Sequence, residues 1–315
     1  MVDLNDILAA REQIGGRLHR TPMISSTALG KRTGTELYFK AEQFQKTGSF
    51  KPRGALNKLQ HLTDDEKRRG VITISSGNHA QGLAYAASLL DIHATVVMPE
   101  GTPDHKVRAT QAYGAEVILH GSMKDIEAKA QQVQEARTFT MAHPFDDPLV
   151  IAGQGTLGLE VLEDIPEPDF VFVAIGGGGL ISGVATAIKL QRPQVRVIGV
   201  EPVGAPTMHR SLQRGAPVHL ESIDTIAEGL SAPFVGQINL EHVQSYVDDV
   251  VLVSDQEMVE AMRLILERCK LVTEPAGAAG FAALLFEKPK VPPGSRVVCV
   301  LGGGNVDAGR LKQLL

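Results

Sequence analysis

Two open, mostly parallel sheets with helices on both faces are predicted for this α/β chain, and three observations predict them. Short apolar runs of strand length alternate with segments of helical period along nearly the whole sequence. Four consecutive glycines, Gly176 to Gly179, stand between the apolar run Phe170–Ile175 and a helix-like segment, Leu180 to Leu190. The chain has 315 residues, a length that allows about two domains. The regular stretch from about residue 70 to 142 reads as a smaller one inserted in a larger one.

Asp3 to Ile14 opens the chain as an amphipathic helix, followed by a short strand at Glu36–Lys40 and a helix at Lys51–His61. The charged segment Thr63-Asp-Asp-Glu-Lys-Arg-Arg-Gly70 reads as a solvated break. Strands are then expected at Val71–Ser75, Ala94–Met98 and Glu116–Leu119, with helices at Asn78–Leu90, Pro103–Ala112 and Lys124–Ala136 between and after them. These form the small domain, 70–142; residues 1–69 and 143–315 form the large one. Its second part holds a long helix at Asp147–Asp164, the strand 170–175, the glycine loop with its helix, and a strand at Arg196–Val200. An amphipathic helix at Asp255–Cys269, a helix at Pro275–Phe286 and a last apolar strand at Arg296–Leu301 complete it.

Composition narrows the function. Apolar content of 43% and charged content of 21% are those of an ordinary soluble globular protein. A net charge of −5 argues against a nucleic-acid or anionic-membrane surface, and the absence of tryptophan leaves no base-stacking platform. Cys269 and Cys299 are too few for a disulfide framework or a zinc knuckle and read as buried thiols. Phe170–Ile188 is uncharged and long enough to raise a membrane span, but glycines at its middle favour strand, loop and helix. With no basic, apolar leader at the start, the expectation is a cytoplasmic enzyme.

The glycine run carries the first chemistry. Residues without side chains let backbone N–H groups converge, and the helix start behind them adds its positive dipole end, which together cradle a phosphate. A dinucleotide site fits the strand–loop–helix context and Glu201 at the next strand end. The glycine spacing does not fit, because Leu180, Ile181 and Ser182 occupy the required places. No Gly-Lys-Ser/Thr closes the run, which excludes a P-loop. Lys51, after Phe50, has two readings: a solvated first residue of a helix, or a desolvated amine whose lowered pKa makes it a nucleophile or base. Its place at a helix N-terminus is unfavourable for a cation, which points to a reason beyond solvation. In Ser75-Ser-Gly-Asn-His79, Ser76 and Asn78 offer hydrogen bonds to a small anion. Ser76 with His79 is a poor hydrolase pair, because no Gly-x-Ser-x-Gly elbow is present.

Several segments occur together and in order: Lys46-Thr-Gly-Ser-Phe-Lys51-Pro-Arg-Gly54, Ser75-Ser-Gly-Asn-His79, His143-Pro-Phe-Asp-Asp-Pro148, Val150-Ile-Ala-Gly-Gln-Gly-Thr156, Gly176-Gly-Gly-Gly-Leu180, Glu274-Pro-Ala-Gly277 and Gly302-Gly-Gly-Asn305. On these residues the chain resembles the serine/threonine dehydratase and serine racemase family of pyridoxal-phosphate enzymes, of the tryptophan-synthase-β-like fold, over essentially its whole length.

The resemblance implies roles. Lys51 would carry the cofactor as a Schiff base and, once freed by substrate, take the α-proton. Gly176 to Gly179 with the Leu180 amide would hold the phosphate. Phe50 would pack beside the ring, Asn78 would bond its phenolic oxygen, and Glu274 would lie near it. Ser75, Ser76, Gly77, Asn78 and His79 would receive the substrate carboxylate, and Ser76 also stands where a racemase places its second acid/base. The implied reaction is dehydration of L-threonine or L-serine to a 2-oxo acid and ammonia, with the cofactor phosphate as proton donor to the leaving hydroxyl. Alternatives on the same scaffold are racemisation, another β-hydroxy substrate such as 3-hydroxyaspartate or phenylserine, and β-replacement.

Two departures stand out. Relatives mostly place a serine against the pyridine nitrogen where this chain has Gly302. The racemase branch holds a divalent cation (Mg or Ca) with a glutamate and an aspartate; here Glu201 and the Ala205 carbonyl remain, but Thr207 replaces the aspartate. The family also implies a homodimer or homotetramer. With little chain after Asn305, no amino-acid feedback through a C-terminal regulatory domain is expected.

Overall fold

A computed structural model describes residues 1–122 and 124–315. Its strands in chain order are β1 (Met23–Ser25), β2 (Glu36–Ala41), β3 (Val71–Ile74), β4 (Ala94–Met98), β5 (Glu116–Leu119), β6 (Thr140–Met141), β7 (Phe170–Ala174), β8 (Arg196–Pro202), β9 (Asp249–Val253) and β10 (Arg296–Leu301). They form a six-stranded sheet in the order β1-β2-β10-β7-β8-β9 and a four-stranded sheet in the order β5-β4-β3-β6. Among the described strands only β1 runs antiparallel to its neighbour; the other strand pairings are parallel. The predicted class of two mostly parallel sheets is what the chain adopts.

The strands of the larger sheet read as continuous apolar runs because both faces are covered. Val171, Val173, Val298 and Val300 pack on one side with helices Pro148–Asp164 and Gly179–Lys189. Phe170, Phe172, Cys299 and Leu301 pack on the other with helices Pro275–Leu285 and Asp255–Leu264. A T-shaped pair, Phe39 against Phe281 at 5.3 Å, sits in that second layer.

Helix Lys51–Gln60 is fixed by close backbone approach. A Cβ at Gly54 would lie 2.7 Å from the Val150 carbonyl oxygen, and one at Gly153 would lie 2.5 Å from that of Arg53. Buried charges pin the same helix. Arg53, 1% exposed, bonds Glu42 through Nε and Nη2 at 2.8 and 2.9 Å, and Glu160 through Nη1 and Nη2 at 2.6 and 3.0 Å. Lys40 Nζ also reaches Glu160, at 2.8 Å. Burial opposes the Arg53 charge, but the two carboxylates win and hold its pKa above the usual guanidinium value.

The elements expected from sequence are present, with most ends shifted by a residue or two. The supposed break at 63–70 is a helix, Asp64–Arg69, with no buried residue. Its stability is local: Thr63 Oγ1 accepts the Glu66 N–H at 3.2 Å and Glu66 Oε2 accepts the Thr63 N–H at 2.8 Å, a reciprocal cap. The expected helix Asp255–Cys269 is α-helical to Leu264 and ends in a π-helical stretch, Ile265–Cys269. Cys299 is buried, whereas Cys269 is only half-buried. Among the described residues no helix is long and apolar enough to cross a membrane.

Candidate active site

Four segments that carry candidate residues begin at the carboxyl ends of parallel strands. β2 leads through two short turns to Lys51, β3 to Ser75–His79, β7 to the glycine loop and β10 to Gly302–Asn305. That end of an open α/β sheet is where backbone N–H groups and helix starts converge, and ligands bind there. The four segments surround one cavity of about 470 Å³, lined also by Phe50, Leu180 and Glu274.

Lys51 is the first residue of its helix and is half-buried against helix Asn78–Leu89; a Cβ at Gly82 would lie 2.9 Å from its Cβ. Nζ donates to the Pro144 carbonyl at 3.0 Å and, among the described residues, has no carboxylate partner. Burial alone pushes its pKa down to about 8, so a free amine is available near neutrality. Burial and the nearby Lys51 charge push His79 down to about 3, and its Nε2 lies 3.2 Å from the Ala142 carbonyl oxygen. A neutral ring so placed is not a base for Ser76.

The glycine loop has room for backbone and nothing else. A Cβ at Gly177 would lie 2.2 Å from the Phe145 ring, and one at Gly176 would lie 2.8 Å from the Gly229 carbonyl oxygen. Gly178 adopts φ +103°, a left-handed conformation that side chains resist. Among the described residues the N–H groups of Gly177, Gly178, Gly179 and Leu180 have no protein acceptor. Four unspent donors at the positive end of helix Gly179–Lys189 form an anion site.

Asn78 is oriented on both sides. Its Nδ2 donates to Glu274 Oε1 at 2.7 Å, and its Oδ1 accepts from Asn305 Nδ2 at 2.8 Å. Burial pushes the Glu274 carboxyl up to about 7, although the Asn78 bond pulls the other way. Ser75, Ser76 and Gly77 lie on the cavity wall before the start of helix Asn78–Leu89. Gly302 borders the cavity with space beside it: a Cβ there would meet Phe50 Cδ1 at 3.5 Å and Leu180 Cδ2 at 3.9 Å, both ordinary contacts.

Glu201, Ala205 and Thr207 lie elsewhere. Glu201 Oε1 and Oε2 accept the Met208 and His209 N–H groups at 2.7 and 2.8 Å, capping helix Thr207–Arg214, while Thr207 Oγ1 donates to the Ala232 carbonyl at 2.9 Å. Burial pushes the Glu201 carboxyl up to about 8 against those backbone bonds. Among the described residues no three His, Cys, Asp or Glu side chains gather as metal ligands. The one carboxylate of this donor set is already engaged by two backbone N–H groups, so these residues do not fit a divalent cation.

An amine whose proton is easily lost and an anion cradle on one cavity are what an aldehyde with a phosphate tail requires. The family described as pyridoxal-phosphate dependent enzyme matches residues 15–303. The chain belongs to that family. It is 45% identical over 316 residues to the L-threonine ammonia-lyase of Thermotoga maritima, covering 100% of this chain and 78% of the relative. It is 44% identical over 315 residues to the catabolic L-threonine dehydratase TdcB of Escherichia coli K12, covering 99% and 96%. Maize serine racemase superposes with a TM-score of 0.95 at 41% identity, covering 99% of this chain and 96% of that one. The cofactor is pyridoxal phosphate, and the residues lining the cavity fit it.

Some cavity residues escaped the sequence reading. Asn305 and Phe145 lay inside motifs already singled out, but nothing marked their contacts. Lys106 and Glu228 gave no signal at all, one on a helix face and the other in an irregular stretch.

Proposed function

We propose that this enzyme is an ammonia-lyase that converts L-threonine and L-serine to the 2-oxo acid and ammonia. The observation that carries the reading is the half-buried Lys51 amine, opposite a glycine loop with unspent N–H groups and beside the Ser75–His79 loop, in one cavity. Bound pyridoxal phosphate supplies an electron sink that lowers the cost of removing the substrate's α-proton. Gly176 to Gly179 and the Leu180 N–H would hold its phosphate, Phe50 would pack beside the ring, and Asn78 would offer its remaining amide N–H to the phenolic oxygen. Ser75, Ser76, Gly77 and the amides opening helix Asn78–Leu89 hold the substrate carboxylate, which fixes the α-carbon beside Lys51. Lys51 Nζ then takes the α-proton, the β-hydroxyl takes a proton and leaves as water, and hydrolysis of the released enamine gives the 2-oxo acid and ammonia.

The curated relatives named as threonine ammonia-lyase and threonine dehydratase favour this reading over racemisation. Racemisation keeps one supporting observation: the Ser76 hydroxyl lies on the cavity wall with no protein partner among the described residues, where a second acid/base would work. The enzyme works in the cytoplasm as a homodimer or homotetramer, each chain dividing into a large domain (1–69 and 143–315) and a small one (70–142).

The test is to incubate the purified enzyme with L-threonine and with L-serine, following 2-oxo acid, ammonia and D-serine together. The expected products are 2-oxobutanoate and pyruvate with equimolar ammonia. Lys51→Ala should lose both turnover and the visible absorbance of the lysine-bound cofactor. D-serine outpacing pyruvate, or turnover retained by Lys51→Ala, would overturn the assignment.

A further inference from the structure

The cavity carries a second sheltered ammonium group that this reaction does not use. Lys106 belongs to helix Asp104–Ala112, which packs with the four-stranded sheet, and its side chain is only 16% exposed. Its carboxylate partner is Glu228, on the short turn Glu228–Leu230 from the other half of the chain, and that side chain is 70% exposed. Both residues line the cavity that holds Lys51 and Ser75–His79.

The other cavity acids are engaged elsewhere. Glu274 accepts from Asn78, and Asp307 lies 4.0 Å from His105 at the rim. Glu228 is therefore the carboxylate that matches Lys106. The pair is lopsided, because the cation is sheltered and fixed while the anion stands largely in solvent. A side-chain carboxylate on a substrate could replace Glu228 as the partner of Lys106. With Glu228 in place, the same carboxylate meets a like charge and finds its cation taken.

We propose that the Lys106–Glu228 pair sets the charge class of the substrate. It reserves the cavity for small β-hydroxy amino acids with neutral side chains, and without the Glu228 carboxylate Lys106 becomes the anchor for a second substrate carboxylate. The inference rests on the ammonia-lyase reading and names the substrate class of that site.

Holoenzyme of wild type, Glu228→Gln and the double variant Lys106→Gln/Glu228→Gln should be assayed with L-threonine and with L-threo-3-hydroxyaspartate. L-Aspartate, which lacks the hydroxyl, serves as a competitive ligand. Glu228→Gln should raise the ratio of kcat/KM for 3-hydroxyaspartate over threonine by about ten-fold or more, the size of one charge-assisted contact. It should lower the inhibition constant of L-aspartate in parallel, and the double variant should lose both gains. An unchanged ratio and inhibition constant in Glu228→Gln, or gains that survive in the double variant, would overturn the proposal. A wild type inert toward L-threonine and L-serine would instead sink the ammonia-lyase reading. L-Aspartate binding, followed through cofactor absorbance, would still report on the pair.

Discussion

Gly177→Ala separates the packing of the glycine loop from its chemistry. An added Cβ would lie 2.2 Å from Phe145 Cδ1, 2.3 Å from Cγ and 2.4 Å from Cε1. The optimum between carbon atoms is about 3.5–4.0 Å, so something must move by more than an ångström. The Phe145 ring is hemmed in, edge-on to His143 at 4.6 Å and 5.5 Å from Phe234, while Asn239 Nδ2 holds its carbonyl at 3.2 Å. The loop itself would therefore shift, taking its N–H groups off the phosphate. Overpacking of this kind costs about 1–3 kcal/mol, which corresponds to a weakening of cofactor Kd by about 5- to 150-fold. Gly302→Ser supplies the contrast, since its Cβ would rest 3.5 Å from Phe50. That variant should load cofactor within about three-fold of wild type, while its new hydroxyl changes cofactor absorbance or turnover. The assay is a titration of resolved apoenzyme with pyridoxal phosphate, followed by absorbance, with a melting curve for each variant. If Gly177→Ala bound cofactor as tightly as wild type, the close approach to Phe145 would not be what shapes the cradle.

Burial lowers Lys51 from 10.5 to about 8, so the folded protein releases this proton in a pH range where an unfolded chain keeps it. Cofactor uptake by the apoenzyme should rise with pH and level off above about 8; stopped-flow absorbance showing a plateau only near 10.5 would contradict the burial argument. By the same linkage the Lys51 penalty on apoenzyme stability is full below about 8 and is relieved as pH climbs from there toward 10.5. Arg53→Met would leave Glu42, fully buried, without a counter-charge, and Glu160, 12% exposed, with Lys40 alone. Breaking a buried pair in this way costs about 3–5 kcal/mol. Urea unfolding of the holoenzyme should show that loss, and one below about 1 kcal/mol would mean the carboxylates find water or protons instead.

Sequence reading reached the elements whose signal is local. β4 and β10 were placed to the residue because buried parallel strands read as unbroken apolar runs between turn signals, and the edge strand β5 through its short apolar run Val117–Leu119. β1 and β6, of three and two residues, have no such run, and they exist because a neighbouring strand offers an edge. Helices Thr27–Thr33 and Thr207–Arg214 were missed for a related reason, since each is short and ends at a left-handed glycine that reads equally well as a loop. The candidate site was legible where chemistry needs an unusual residue in sequence, as in the tetraglycine or the Lys51 motif. It was illegible where an ordinary residue acts through a distant partner, as with Lys106 and Glu228 across the cavity.

The order of the larger sheet explains why the last strand matters more to this site than its position in the chain suggests. β10 inserts between β2 and β7, so its end lies between the Lys51 segment and the glycine loop. Residues just beyond it tie separate segments together. The Gly302 carbonyl accepts the Phe50 N–H at 3.1 Å, and the Gly303 carbonyl accepts the Glu274 N–H at 3.2 Å and the Thr273 hydroxyl at 2.8 Å. Asn305 Nδ2 donates to the Thr47 carbonyl at 2.7 Å and to Asn78 Oδ1 at 2.8 Å. Thr47 sits at φ 64°, a left-handed conformation strained for a β-branched residue, and the Asn305 bond holds its carbonyl in that turn. One side chain thus orients the Asn78 amide and braces the turn that leads to Lys51. Asn305 thereby ties the turn before Lys51 to the start of helix Asn78–Leu89 on the cavity wall, although among the described residues it bonds neither Lys51 nor the glycine loop.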